Sequence, residues 1–104
     1  MYTTIRYHLT ASKKRTTISL DKIISDLIAI KLGFTSASKA THAAVRKQLE
    51  NLILPYHDPK SPYYNLYCIN YKFSQFVAAQ AILWLAGEEL TDKYYQYQVD
   101  SMEG

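Results

Sequence analysis

Three polar side chains, Arg15, Thr17 and Ser19, alternate with Thr16, Ile18 and Leu20 in the run Lys-Lys-Arg-Thr-Thr-Ile-Ser-Leu, where Arg15 is the last of three consecutive basic residues. Successive side chains of a strand point to opposite faces, so this pattern predicts a strand over 15–20 with one polar and one apolar face. A guanidinium and two hydroxyls are side chains that hydrogen-bond to base edges in the major groove of DNA. The same alternation also occurs in ordinary half-exposed strands, so its meaning depends on the elements around it.

The residues after this strand predict a helix, a glycine turn and a second helix. Asp21 is suited to cap a helix over about 22–32, and Gly33 to end it. The cluster Thr35-Ser36-Ala37-Ser38 offers several caps for a second helix that runs to about Ile53, where Pro55 is expected to close the block. The apolar residues expected on the core side of the first helix are Ile23, Ile24, Leu27, Ile28 and Leu32.

The segment before Lys13 has its own alternation. Ile5, Tyr7 and Leu9 alternate with Thr4, Arg6 and His8, which is typical of an extra strand over 3–9. Residues 11–13 then form either a turn or a flexible arm that leads into the strand at 15–20. Residues 1–12 are therefore expected to be an N-terminal arm or an extra strand.

Residues 13–54, with their strand, helix, Gly33-Phe34 turn and second helix, resemble the ribbon-helix-helix family of DNA-binding repressors (the Arc, MetJ and CopG type). The resemblance implies that two chains pair their strands into one antiparallel ribbon, which enters the major groove above four interlocked helices. It also implies base contacts from Arg15, Thr17 and Ser19, and phosphate contacts from Thr35, Ser36 and Ser38 at the start of the second helix. This chain departs from the family in a first helix about one turn shorter and in the twelve residues before Lys13.

The charge of the chain is unevenly distributed. Residues 1–47 contain nine Lys or Arg against two Asp, a net charge of +7, whereas residues 48–104 contain three Lys against seven acids, a net charge of −4. A basic half joined to an acidic half is expected when only one end of a protein meets a polyanion. Lys13, Lys14 and Lys39 are accordingly predicted to add phosphate contacts whose strength depends on salt.

The second half of the chain, residues 55–104, is predicted to be a connector followed by a helical, aromatic interaction segment. The Pro-rich stretch 55–62 is the connector, and 63–70 is ambiguous between a strand and irregular structure. An almost wholly apolar helix is predicted over 72–86, and a short fourth helix from Thr91-Asp92. The segment either completes the core or, as appended segments do in the family, contacts a partner. A protein partner would bind through residues 63–98, since tyrosine is favoured at protein interfaces.

Several functional classes find no support in the sequence. His57-Asp58 could serve as an acid–base pair, but it lies in the connector without a nucleophile nearby, so we expect no enzyme and no catalytic residues. The three histidines and the single cysteine lack metal-ligand spacing, and a glycine-rich phosphate loop is missing, so we expect neither metal nor cofactor. The lone Cys68, the lack of a signal peptide and an apolar run too short for a membrane span indicate a cytoplasmic protein with no membrane partner.

Together these patterns predict a mainly α-helical chain with a short N-terminal β-strand, assembled as a ribbon-helix-helix dimer with an additional C-terminal helical segment. The expected function is that of a homodimeric, sequence-specific double-stranded DNA-binding protein, a transcriptional repressor or autoregulator that could form higher oligomers. An antitoxin or a plasmid or phage accessory protein would look the same. The alternative is a non-enzymatic protein–protein interaction module that uses the aromatic C-terminal half.

Overall fold

A computed structural model describes residues 3–11, 14–57, 60 and 73–103, which form two strands followed by helices. The order of elements is β1 (Thr4–Ala11), β2 (Lys14–Asp21), α1 (Lys22–Lys31), α2 (Lys39–His57), α3 (Phe73–Ala86) and α4 (Glu88–Glu103). The chain is thus mostly helical with a small N-terminal sheet, as its sequence predicts.

The two strands form one antiparallel hairpin within the chain. Tyr7 lies opposite Ile18 and Ala11 opposite Lys14, so only residues 12 and 13 separate the strands. The extra strand suggested by the alternation at 3–9 is therefore confirmed. The predicted fold class has a single short N-terminal strand. The structure has two, and β1 is the hydrogen-bonded neighbour of β2 within the same chain.

The first helix starts directly from β2 and ends at Gly33. Asp21 is its N-cap, but the Asp21 side chain makes no capping hydrogen bond. At the other end, the amide of Gly33 donates to Ile30 O and that of Phe34 donates to Ala29 O, each at 3.0 Å. This is a Schellman ending, and Gly33 has the positive φ (99°) that it requires.

The second helix begins at the serine and threonine cluster, as predicted. The Ser38 Oγ accepts from the Thr41 amide at 3.1 Å, and the Thr41 Oγ1 donates to Ser36 O at 2.7 Å. Its end was predicted too early. Pro55 lies inside α2, and the helix continues to His57. Pro55 has no amide to donate to the carbonyl four residues earlier, so this last turn forms with one intrahelical hydrogen bond fewer.

One face of the hairpin packs on the helices and forms the core. Tyr7, Leu9, Ile18 and Leu20 are buried there, and they meet α2 and α3. α4 packs on α3 after Gly87, which has a φ of 92°, and it is longer and starts earlier than the sequence predicted. The helical members of this core are Ile28, Ala29, Val45, Leu49, Ile53, Phe76, Val77 and Ala81.

The first helix turns a different face to the core than expected. Ile28 is buried and Ile24 partly so, but Ile23 is 74% exposed and Leu27 is exposed as well, while Ser25 is buried. Because no loop separates Asp21 from Lys22, the end of β2 sets the rotation of α1 about its axis. An apolar stripe consequently remains on the outside of α1.

Some predictions fall on residues outside the described ranges. Lys13, Cys68, the segment 63–70 and four of the eight connector residues (58, 59, 61 and 62) lie there, so the division of the chain into units at 55 stays a prediction. Within the described helices, none is both long and apolar enough to cross a membrane.

Candidate nucleic-acid interface

The outer face of the hairpin is polar along both strands. β1 contributes every second residue from Thr4 to Thr10, and β2 every second residue from Arg15 to Ser19, because side chains alternate across a strand. All of these residues are exposed. We call this surface the ribbon face; it consists of Thr4, Arg6, His8, Thr10, Arg15, Thr17 and Ser19.

A direct side-chain contact links the two strands at the centre of the ribbon face. His8 Nδ1 lies 2.8 Å from Thr17 Oγ1, at a position where the two residues are directly opposite each other. Arg6 faces Ser19 at one end of the face, and Arg15 faces Thr10 at the other. With a rise of about 3.4 Å per residue, the two arginines are roughly 14 Å apart along the ribbon.

The two outer edges of the hairpin differ. The amide of Lys22 donates to Thr3 O at 2.9 Å, so these two residues form a hydrogen-bonded pair. Hydrogen-bonded and non-hydrogen-bonded pairs alternate along antiparallel strands, so the backbone N–H and C=O groups of Arg6, His8 and Thr10 face away from β2. α2 covers this edge of β1. His42 Nε2 donates to Arg6 O at 3.3 Å, and the amide of Thr10 donates to Glu50 Oε2 at 2.6 Å.

By the same alternation, the backbone groups of Arg15, Thr17 and Ser19 face outward from β2. Within the described part of the chain they have no hydrogen-bond partner, although α3 packs beside this strand. An edge with unpaired backbone groups is a site at which another strand can add.

Arg46 flanks the ribbon face from α2, although the sequence did not single it out. It lies one helical turn after His42 and one turn before Glu50, both of which contact β1. Because His42 contacts Arg6 and Glu50 contacts Thr10, Arg46 stands beside the middle of β1, and its side chain is exposed. A face-by-face plot of α2 could have identified it only if the contact between α2 and β1 were known.

The predicted phosphate-contact residues lie at one end of the ribbon face. Thr35, Ser36, Ser38 and Lys39 are exposed around the start of α2. The ring of His42, in the first turn of α2, stacks on that of Tyr7 with centroids 4.4 Å apart, which places this turn beside Arg6. The structure thus brings this group to the Arg6 end and leaves Arg15 at the opposite end.

The remaining predicted phosphate contacts, Lys13 and Lys14, directly precede Arg15 in the chain. Lys13 is outside the described residues, and of Lys14 only the backbone is described, opposite Ala11.

No carboxylate among the described residues forms an ion pair with the cations around the ribbon face. Ion pairs among the described residues join Lys22 to Asp26 and Lys93 to Glu89, each one turn apart on a helix. The cations without an ion pair in the described part of the chain include Arg6, Arg15, Lys39, Arg46 and Lys47. Glu50 borders the face at Thr10 and lowers the positive potential there.

The sequence predicted one of the two strands of this surface. Arg15, Thr17 and Ser19 are exposed on one face, as expected, but Arg6, His8 and Thr10 were not proposed as contacts. Their alternation was visible. However, residues 12 and 13 are Ser-Lys rather than the Asn-Gly type that signals a two-residue hairpin loop. The pairing of the two strands therefore could not be predicted from the sequence.

Among the described residues, no cluster of three or more His, Cys, Asp or Glu side chains could hold a metal ion. Comparisons of this chain with protein-family models, with curated proteins and with solved structures find no match.

Proposed function

We propose that the protein binds double-stranded DNA in a sequence-specific manner through the ribbon face, as a homodimeric transcriptional repressor or autoregulator. The observation that carries this proposal is a two-stranded antiparallel ribbon with an exposed polar face, bordered by cations that form no ion pair with any residue the structure describes. The major groove of B-DNA is wide enough to admit a ribbon of this kind.

Arg6 and Arg15 are the proposed base-reading residues. Each guanidinium can form two hydrogen bonds with guanine O6 and N7, which is worth about 1–3 kcal/mol of discrimination. Their separation of roughly 14 Å corresponds to about four base-pair steps of 3.4 Å. Thr17 and Ser19 can both donate and accept, so they suit several bases and specify less.

Lys39, Arg46 and the start of α2 are the proposed phosphate contacts. Backbone amides at a helix N-terminus and long cationic side chains hold phosphates without reading sequence. They fix the depth and angle of the ribbon in the groove and make the affinity depend on salt.

The homodimer is proposed to form at the outer edge of β2. There, the outward backbone groups of Arg15, Thr17 and Ser19 would pair with the same groups of a second copy around a two-fold axis. The exposed apolar stripe of α1 lies next in the chain and would be covered in the same contact. Two ribbon faces related by symmetry favour a palindromic DNA site.

Fluorescence anisotropy with labelled duplexes from upstream of the coding gene tests DNA binding directly. Arg6→Ala and Arg15→Ala are expected to weaken the preferred site by about 1–3 kcal/mol and to relax its sequence preference. Thr17→Ala should change preference less. Arg46→Ala should weaken all duplexes alike and reduce the salt dependence by about one phosphate contact.

Lys93→Ala is the matched control, since it also removes one positive charge but lies on α4, paired with Glu89. It should leave DNA binding unchanged. If the wild-type protein binds no duplex at low salt, or if Arg6→Ala and Arg15→Ala together leave site preference intact, DNA reading by this face is disproved.

A second candidate function is protein binding through the C-terminal half. Its support is an apolar groove of about 480 Å³ between α3 and α4, with Leu90 and Tyr94 exposed at its α4 side. Tight binding to a co-encoded protein in the absence of DNA, lost in Tyr94→Ala, would favour this function.

A further inference from the structure

A cleft of about 670 Å³ lies between α1, the segment 33–38 and the first turns of α2, above the start of β1. Clefts of this size accommodate small organic ligands. Its inner lining is largely apolar, and its mouth is formed by polar residues of the 35–39 segment. The apolar lining comprises Ile5, Ala29, Ile30, Phe34, Ala37 and Val45.

Two buried hydroxyls line the same cleft. Tyr7 is 1% exposed and Ser25 is 3% exposed, and the oxygens of their hydroxyls are 2.5 Å apart. Each hydroxyl carries one proton, and a single hydrogen bond between them uses one. Whichever residue donates, the proton of the other hydroxyl has no acceptor among the described residues. A buried polar group of this kind calls for a partner that can accept a hydrogen bond.

Two lysines, Lys22 and Lys39, and one carboxylate, Asp26, line the cleft, so its charged lining is net positive. Lys39 is exposed there and forms no ion pair within the described residues, whereas Lys22 is paired with Asp26. The first bond of the α2 ladder runs from the His42 amide to Ser38 O, and Ser38 Oγ accepts the Thr41 amide. The amides of Lys39 and Ala40 are therefore left for another acceptor, at the positive end of the helix dipole.

We propose that this cleft binds a small planar organic anion. Its flat body lies on the apolar lining, an uncharged acceptor at its inner end receives the hydrogen bond from the Tyr7–Ser25 pair, and its anionic group lies at the mouth beside Lys39. The charged group belongs at the mouth because burying an unpaired carboxylate against Tyr7 is far costlier than burying a carbonyl. This site goes beyond DNA binding and does not require it.

One consequence does rest on the proposed function. The 35–39 segment is the mouth of the cleft and also the proposed phosphate contact, so an anion held there competes with the DNA backbone. Such a ligand would lower DNA affinity and act as an inducer. Ligand binding is measured without DNA, so its failure and the failure of DNA binding are separate results.

NMR titration with 4-acetylbenzoate tests the site, with benzoate and 4-acetylbenzamide as matched probes. The first probe has an acceptor at one end and a carboxylate at the other, and each control lacks one of them. We expect saturable shifts at the amides of Ser25, Thr41 and His42. Loss of the acetyl group should weaken binding by about 2- to 10-fold, and loss of the carboxylate charge by about 2- to 5-fold.

Two variants separate the ends of the site. Tyr7→Phe with Ser25→Ala removes both hydroxyls while leaving an apolar pair, a change that is close to neutral for folding. It should abolish the advantage of 4-acetylbenzoate over benzoate. Lys39→Gln should reduce the advantage of the carboxylate, and Lys47→Gln, an exposed change on the same helix away from the cleft, should not. Absence of saturable shifts at the cleft, or ratios unchanged in both site variants, would overturn the proposal.

Discussion

The polar side chains of the ribbon face are exposed, whereas the residues between them in sequence are buried or half-buried. Arg6 and Arg15 can therefore be substituted without opening a cavity, while neighbours such as Tyr7 and Ile18 cannot. Exposed substitutions away from caps and ion pairs usually change stability by less than about 0.5 kcal/mol. Loss of DNA binding in the arginine variants would consequently report on the surface and not on the fold.

Burial couples the ionisation of Tyr7 to folding. Burial raises the pKa of the Tyr7 phenol above its usual 10.0, the hydrogen bond with Ser25 lowers it, and the nearby charge of Asp26 raises it. The folded state therefore holds the phenol proton more tightly than the unfolded state does. This stabilisation is complete below pH 10.0 and is lost as the pH rises from 10.0 through the folded-state pKa.

Denaturant unfolding of the wild type and of Tyr7→Phe across this alkaline range measures the effect. The free energy of unfolding of the wild type should fall more steeply with pH than that of the variant, whose position 7 does not titrate. Parallel curves above pH 10.0 would show that Tyr7 ionises as easily in the folded state as in the unfolded one.

The turn between α1 and α2 depends on a single glycine. Gly33 has a φ of 99°, and an added Cβ would meet nothing within 4 Å, so the cost of a side chain there is backbone strain alone. Gly33→Ala should lower the free energy of unfolding by about 1–2 kcal/mol. Gly33→Asn should cost less, since asparagine tolerates positive φ better.

Thermal and denaturant unfolding of Gly33→Ala and Gly33→Asn measure whether the alanine variant is the less stable of the two. An alanine variant as stable as the wild type would mean that the ending of α1 can adopt another backbone conformation. The 33–38 segment also forms part of the cleft, so a change in its shape should alter the mouth of the ligand site.

The elements themselves were readable from local sequence, but their mutual arrangement was not. The 15–20 alternation, Gly33 and the Ser38 cap each have a local physical cause, and they fixed β2 and the boundary between α1 and α2 to within two residues. The rotation of α1, which leaves Ile23 exposed and buries Ser25, depends on the packing of α3 and on the absence of a loop after Asp21. The cleft and the position of Arg46 depend on the packing of α2 against β1, which a local sequence pattern does not predict.

At the scale of the whole molecule, two unpartnered features of the outer surface are adjacent in sequence. The outer edge of β2 has outward backbone groups without partners in the described residues, and α1 exposes Ile23 and Leu27 one turn apart, outside the cleft. An unpaired strand edge beside exposed apolar residues is a typical contact between protein chains. Both would be covered in the proposed homodimer.

Sedimentation equilibrium tests this assembly. The wild type should have twice the 12.0 kDa mass of the chain. Thr17→Pro removes an outward amide that β1 does not use, so it should give a folded monomer, because proline is tolerated on a free strand edge. Thr16→Pro is the matched change on the inner edge, and it should disrupt the hairpin itself. A wild-type mass of one chain would contradict the dimer.

The charge of the molecule separates the two candidate partners. Arg6, Arg15, Lys39 and Arg46 lie around the hairpin and α2, while α4 begins with Glu88 and Glu89 and carries Asp92 and Asp100. A polyanion should therefore approach the hairpin side and be repelled from α4.

The most direct test of the central claim, that the ribbon face holds duplex DNA, is an amide NMR titration of the intact protein with a duplex at low salt. Backbone amides of residues 4–10 and 15–19 and of the first turn of α2 should shift first and furthest, and those of α4 should not move. Shifts confined to α3 and α4, or none at all, would contradict the account.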